Sequence, residues 1–65
     1  MITVHVEPDN ETLTFASLNT VLQLLNRLGL RSTQALVVRD GNLLTADRKL
    51  GRDDVITIKK VVSAG

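Results

Sequence analysis

Few side chains in this sequence are of the types that carry out chemistry, and none stands in a catalytic pattern. His5 is the only histidine; without an accompanying arrangement of acidic residues or cysteine, we interpret it as a solvated strand residue. Asp53 and Asp54 could bind a metal, although adjacent carboxylates ahead of a strand more often form a turn and a cap. Cysteine is absent, which excludes a disulfide, a thiolate metal site and a cysteine nucleophile. P-loop, GxGxxG and HExxH motifs are also absent. We therefore predict that the chain is not an enzyme and uses no metal or cofactor of its own.

The composition limits the classes of partner. Eight Lys and Arg residues nearly balance seven Asp and Glu residues, so the basic excess of a nucleic-acid-binding face is missing. Phe15 is the only aromatic residue, which leaves no stacking platform for single-stranded nucleic acid. No apolar run approaches the roughly 18 residues that cross a bilayer, and Met1 leads into a strand pattern without a signal peptide. We expect one complete cytoplasmic domain over residues 1–65, with no direct contact to membrane or nucleic acid.

The first fifteen residues have the pattern of an antiparallel hairpin. Residues 2–6 and 11–15 alternate apolar and polar side chains, which is the period of a half-buried strand. The turn residues 7–10 between them contain Pro, Asp and Asn. The alternation places one set of apolar side chains on the same face: Ile2, Val4, Val6, Leu13 and Phe15.

The pattern then changes to the period of an amphipathic helix. Ser17 is a candidate N-cap, and Gly29 suits the left-handed conformation that follows many helix C-termini. The spacing predicts a helix over about residues 18–28. Its apolar stripe consists of Leu18, Val21, Leu22, Leu25 and Leu28.

The rest of the chain indicates more strands. Residues 35–39 and 42–44 are predicted strands joined by a tight Asp40-Gly41 turn, Leu50 is an apolar plug beneath an irregular segment, and residues 55–61 form the last strand. With one helix and one sheet, the leucine stripe has to pack on a sheet face. The crossover is long enough for the first strand to pair in parallel with the third or the fifth strand. This order predicts an α+β, β-grasp (ubiquitin-like) fold: a mixed four- to five-stranded sheet, its first and last strands adjacent, packed on one helix.

Three segments of the chain, residues 37–45, 53–58 and 61–65, resemble the ThiS/MoaD family of ubiquitin-like sulfur carriers. These proteins serve thiamine, molybdopterin and thiolated-tRNA biosynthesis. Length and element order also fit, and the C-terminal tail (residues 62–65) is the diagnostic part. The family typically ends in Gly-Gly, whereas this chain has Ala64 before Gly65. The segment around residues 43–45 and the closing Val-Ser residues favour tRNA thiolation or protein modification among the possible pathways.

The resemblance implies that Gly65 is the functional residue and that the tail, including Ser63 and Ala64, is flexible. An E1-like adenylating enzyme would activate the Gly65 carboxylate with ATP, which is used by the partner. A sulfur donor would then form a thiocarboxylate for a sulfur-accepting synthase, or a target-protein lysine would form an isopeptide bond. A carboxylate with a pKa of roughly 3.3–3.7 is ionised at neutral pH and must be activated before a nucleophile attacks it. Glycine, which lacks Cβ, can approach closely in a narrow channel.

A docking surface beside the tail is also expected. Lys59, Val61 and Val62 are its candidate residues, and Thr57 shares the predicted open face of the sheet. Depending on register, that face would also include Thr3, His5, Ala35, and Val37 or Val38. Two other interpretations remain open. The chain could be a non-covalent β-grasp binding module that uses this open face, or a scaffold or inactivated variant in which Ala64 was introduced.

Overall fold

The computed structural model describes residues 1–61, and the predictions for Val62, Ser63, Ala64 and Gly65 lie outside this range. Strand β1 spans Ile2–Glu7, and β2 spans Glu11–Phe15. One helix, α1, follows at Val21–Leu28. Three further strands complete the described chain: β3 at Ala35–Arg39, β4 at Asn42–Leu44 and β5 at Val55–Lys60.

The five strands form one mixed sheet in the order β2-β1-β5-β3-β4. β1 and β5 lie side by side and run parallel, whereas the other neighbouring strands are antiparallel. The prediction of a mixed sheet with its first and last strands adjacent is therefore confirmed. The sequence left two parallel pairings open for β1, one with β3 and one with β5. In the structure β1 pairs with β5, and β5 separates β1 from β3.

The Asp40-Gly41 turn joins β3 to β4 as predicted. Both residues have positive φ, 54° for Asp40 and 79° for Gly41. Arg39 is paired with Asn42 across the two-residue loop. Two consecutive positive φ angles match the twist of a tight antiparallel hairpin, which explains the Asp-Gly sequence. The same turn sets the register of the whole β3–β4 pair.

Helix α1 begins later than predicted, at Val21 rather than near residue 18, and its N-cap is Thr20 rather than Ser17. Thr20 has extended backbone angles, and its hydroxyl oxygen accepts a hydrogen bond from the Gln23 backbone N–H at 3.3 Å. The Gln23 side-chain oxygen accepts in turn from the Asn19 N–H at 2.7 Å. These bonds satisfy backbone donors at the helix start, where no intrahelical acceptor is available.

The segment between residues 45 and 50 explains the late helix start. The Asn19 carbonyl accepts from the Leu50 N–H at 2.9 Å, and the Val21 N–H donates to the Arg48 carbonyl at 3.0 Å. Thr20 also forms an isolated antiparallel bridge with Lys49. Thr20 is thus held extended against a segment far away in sequence, so the helix cannot begin before Val21.

The buried stripe of α1 is shifted relative to the prediction. Val21, Leu24 and Leu25 are buried, and Leu28 packs partly against them. Leu22, which was predicted to face the core, is 49% exposed, so that prediction is wrong. The i, i+3, i+4, i+7 pattern counted from Val21 omits position 22. Gly29 ends the helix as predicted, with φ 72° and its N–H donating to the Asn26 carbonyl at 3.2 Å.

The core lies between α1 and one face of the sheet. Its strand contribution comes from alternating positions of β1, β3 and β5, and the predicted plug Leu50 packs partly against it. Leu13 and Phe15 of β2 also pack partly against it, which confirms the predicted hairpin face. Within the described residues, no helix is long and apolar enough to cross a membrane. The buried residues of the core are Ile2, Val4, Val6, Leu18, Val21, Leu24, Leu25, Ala35, Val37, Ile56 and Ile58.

Candidate functional site

The end of β5 is the part of the structure closest to the predicted functional tail. β5 is the central strand of the sheet, with β1 on one side and β3 on the other. It ends at Lys60, and the next residue, Val61, donates its N–H to the Gln34 carbonyl at 2.8 Å. Val61 is 53% exposed and is the last described residue. Gly65, the predicted acyl site, follows four positions later in the sequence.

The open face of the sheet, opposite α1, contains most of the side chains predicted for it. In the parallel β1–β5 ladder, Lys59 is paired with Glu7, Thr57 with His5, and Val55 with Thr3. These positions alternate with the buried Ile56 and Ile58, so they point away from the core. The predicted placement of Thr57, Lys59, Thr3 and His5 on the open face is confirmed.

The β3 residues of this face were assigned incorrectly in one case. Ala35 is 5% exposed and belongs to the core, as does Val37, so Ala35 does not lie on the open face. Leu36 and Val38 occupy it instead, because they are paired with Lys59 and Thr57 of β5. An uninterrupted apolar run carries no alternation, and only pairing with a neighbouring strand decides which side chains are buried.

Three apolar residues form a continuous patch on the open face, which we call the open-face patch: Leu36, Val38 and Leu43. Val38 and Leu43 are directly opposite each other across the β3–β4 ladder. Leu36 is 48% exposed and Leu43 is 65% exposed. Neither Leu36 nor Leu43 is among the site residues predicted from the sequence. The signal for Leu43 was present, since a two-residue Asp40-Gly41 turn pairs residue 38 with residue 43.

The open-face patch lies beside the end of β5. Lys59 is paired with Leu36 on β3, and two positions further along both strands Val61 bonds to Gln34. Diagonal neighbours of this kind are about 7–8 Å apart in a sheet. The exposed Val61 therefore extends the apolar surface toward the point where the tail begins. This brings two of the predicted partner-binding residues, Lys59 and Val61, next to the patch. The third, Val62, lies outside the described residues.

The β1 and β2 side of the open face is polar. Thr3 is paired with Thr14, and His5 with Thr12. The His5 Nδ1 and the Thr12 Oγ1 lie 3.1 Å apart, and His5 is exposed. This contact gives His5 a partner on the neighbouring strand, in agreement with its interpretation as a solvated strand residue.

The acidic pair before β5 has structural partners. The Asp54 carboxylate accepts from the Gly51 N–H at 2.6 Å and from the Arg39 guanidinium at 2.7 Å. The Gly51 hydrogen bond is the main cause that lowers the pKa of Asp54, and Arg39 adds to it. Asp53 pairs instead with the N-terminal ammonium group of Met1, at 3.1 Å. The two carboxylates therefore hold separate segments. Among residues 1–61, no group of three or more His, Asp or Glu side chains could bind a metal.

One ion pair lies directly at the end of β5. The Lys60 Nζ is 2.7 Å from the Asp9 Oδ2, and Asp9 belongs to the β1–β2 turn. The hydrogen bond from Lys60 to Asp9 raises the pKa of Lys60, and Glu11 contributes a smaller attraction. The pair joins two segments that are separated by 51 positions in the sequence.

Neither a comparison with models of known protein families nor one with curated proteins finds a match to this chain.

Proposed function

We propose that this chain is a cytoplasmic β-grasp domain of the ThiS/MoaD type, a carrier or protein modifier whose reactive group is the Gly65 carboxylate. The observation that supports this most strongly is the end of β5. The central strand of the sheet leads directly to the tail, and it ends beside an exposed apolar patch. In this proposal the sheet supplies the recognition surface, and Gly65, four residues after Val61, supplies the carboxylate.

The proposed chemistry uses a partner enzyme. A Gly65 carboxylate oxygen attacks the α-phosphorus of ATP, pyrophosphate leaves, and an acyl-adenylate forms. Hydrosulfide from a sulfur donor then attacks the acyl carbon, AMP leaves, and the terminus becomes a thiocarboxylate. If a lysine amine attacks instead, an isopeptide bond forms and AMP leaves in the same way. The carrier supplies the carboxylate and the docking surface, and the adenylating enzyme binds the nucleotide.

The open-face patch is the proposed docking surface for the adenylating enzyme. Leu36 and Leu43 are large, exposed and apolar, and a contiguous set of this kind marks an interaction site more clearly than scattered residues do. Lys59 and Val61 would lie at the edge of the contact nearest the tail. Four residues beyond Val61 reach at most about 13–14 Å when fully extended. The nucleotide of the partner must then lie within about that distance of the docked sheet.

Ala64 is the position at which this chain departs from the resemblance. A Cβ restricts the backbone to fewer conformations than glycine allows and adds bulk in a narrow channel. We therefore expect slower activation than for an Ala64→Gly variant.

Intact-mass spectrometry tests the proposal. The chain and its Ala64→Gly variant are incubated with ATP, a thiocarboxylate-forming adenylating enzyme and sulfide. The expected product has one oxygen of the terminal carboxylate replaced by sulfur, and it accumulates faster in Ala64→Gly. If neither protein changes mass while the natural carrier of that enzyme does, with adenylating enzymes from each of the candidate pathways, the carrier function is wrong.

A second candidate function is favoured by the open-face patch itself. Leu36, Val38 and Leu43 would serve equally well in a non-covalent binding module that makes no use of the tail. Deletion of residues 63–65 separates the two functions. A carrier loses every partner-dependent activity after this deletion, whereas a binding module keeps its affinity and its function.

A further inference from the structure

The end of β5 is held differently by its two neighbouring strands. On the β3 side, the Val61 N–H donates to the Gln34 carbonyl at 2.8 Å. On the β1 side, the last paired positions are Glu7 and Lys59. The next residue of the chain after Glu7 is Pro8, which lies in the β1–β2 turn and no longer in β1. Main-chain pairing with β1 therefore ends one residue before the end of β5.

A side-chain ion pair takes over at this point. Asp9, in the turn that follows Pro8, accepts a hydrogen bond from Lys60, the last residue of β5, with 2.7 Å between Nζ and Oδ2. The raised pKa of Lys60 agrees with a charge-assisted bond to Asp9. Two consecutive residues thus fasten the polypeptide: Lys60 to the β1–β2 turn and Val61 to Gln34, the residue before β3.

We infer that the Asp9–Lys60 ion pair and the Val61–Gln34 hydrogen bond form a clamp that fixes the origin of the tail at Val61, and that Asp9 and Lys60 are positioning residues for the proposed carrier reaction. This inference rests on the proposed function. Without the ion pair, the contact of Lys60 with the β1–β2 turn is lost, and the end of β5 separates from the sheet more often. The segment between the sheet and Gly65 then becomes longer, and its starting direction is less fixed. This lowers the effective concentration of the carboxylate at the nucleotide of a docked partner.

Digestion with a broad-specificity serine carboxypeptidase, followed by intact mass over time, tests the clamp without any partner. In the wild-type chain we expect residues 62–65 to be removed quickly and removal of Val61 and Lys60 to be at least several-fold slower. Asp9→Asn keeps the side-chain shape and removes the charge. In this variant we expect Val61 and Lys60 to be removed without that delay. Asp53→Asn is the matched control, because Asp53 is also an exposed carboxylate in an ion pair, but with the Met1 ammonium group.

The control separates local release from a general loss of stability. Asp9→Asn and Asp53→Asn should have similar Tm values, and only the first should be trimmed past Val61. The double variant Asp9→Lys/Lys60→Asp, which reverses the pair, should restore the wild-type delay. Identical trimming of wild type and Asp9→Asn would overturn the clamp.

Kinetics with the adenylating enzyme test the positioning role. Asp9→Asn should lower kcat for acyl-adenylate formation several-fold and leave the KM for the carrier unchanged, since the docking patch is intact. The reversed pair should restore kcat. An unchanged kcat in a variant that is trimmed faster would refute the positioning role. If the wild-type chain is not activated at all, the proposed function and the positioning role both fail, and the trimming result still decides whether the clamp exists.

Discussion

Two leucines with nearly equal exposure on different faces of the molecule provide a direct test of the docking surface. Leu36 lies in the open-face patch and is 48% exposed, and Leu22 lies on the outer side of α1 and is 49% exposed. Both can be truncated to alanine at similar cost to folding, because about half of each side chain already contacts water. We predict that Leu36→Ala weakens binding to the adenylating enzyme, whereas Leu22→Ala does not.

The magnitude follows from the exposed area. Full burial of a leucine side chain contributes about 1.5–3 kcal/mol. Docking can bury at most the half of Leu36 that is still exposed, so its truncation should cost about 1 kcal/mol, or roughly a five-fold rise in Kd. Leu43 is 65% exposed. By the same reasoning, Leu43→Ala should cost about 1–2 kcal/mol, a rise in Kd of roughly 5- to 30-fold.

Isothermal titration calorimetry of each variant against the adenylating enzyme measures these differences, and urea unfolding checks that the variants fold equally well. An equal loss of affinity in Leu22→Ala and Leu36→Ala would refute the assignment, because the effect would then not depend on the face. Unchanged affinity in both Leu36→Ala and Leu43→Ala would also refute it, since the two exposed leucines of the open-face patch would then contribute nothing to binding.

Three further predictions concern the stability of the domain. Leu24→Ala removes a fully buried helix side chain and should lower the free energy of unfolding by about 2–5 kcal/mol; urea denaturation measures this, and a loss below about 1 kcal/mol would contradict the described core. Gly29→Ala introduces a Cβ at φ 72° with no atom within 4 Å of it, so only backbone strain of about 1–2 kcal/mol is expected; an unchanged urea midpoint would show that the helix does not end in this conformation. The pKa of Asp54 is lowered, first by the Gly51 N–H and then by Arg39, so its contribution to stability is present above its unfolded-state pKa of about 3.9 and is lost as the pH falls through the lower folded-state value. Urea midpoints measured from pH 7 down to pH 2 should therefore fall less steeply below about pH 5 in Asp54→Asn than in the wild type. Identical slopes would show that the Asp54 carboxylate makes no such contribution to stability.

The local parts of the fold were predictable from the sequence. The alternation in residues 2–6 and 11–15, the Asp40-Gly41 turn and the helix end at Gly29 all appear in the structure as expected. Each depends on side chains that are close together in the chain, on the period of a strand or on a backbone angle that glycine tolerates. The open-face positions of Thr57 and Lys59 follow from the same alternation along β5.

Contacts between distant segments decided the rest. The segment at residues 45–50 binds the backbone at Asn19 and Val21, and thereby moves the helix start. Strand pairing, and not the apolar run at residues 35–38, buried Ala35 and exposed Leu36.

The region before the tail shows the same difference between local sequence patterns and contacts of distant segments. The sequence by itself determined that reactive side chains are few, that residues 64 and 65 are Ala and Gly, and that the strand before them alternates. Only the tertiary structure placed Leu36 and Leu43 beside the end of that strand and joined Lys60 to Asp9 across 51 positions. The physical reason is that periodicity and turn preferences act over a few residues, whereas the register of a sheet and the partner of a surface charge are determined by segments that meet only after folding.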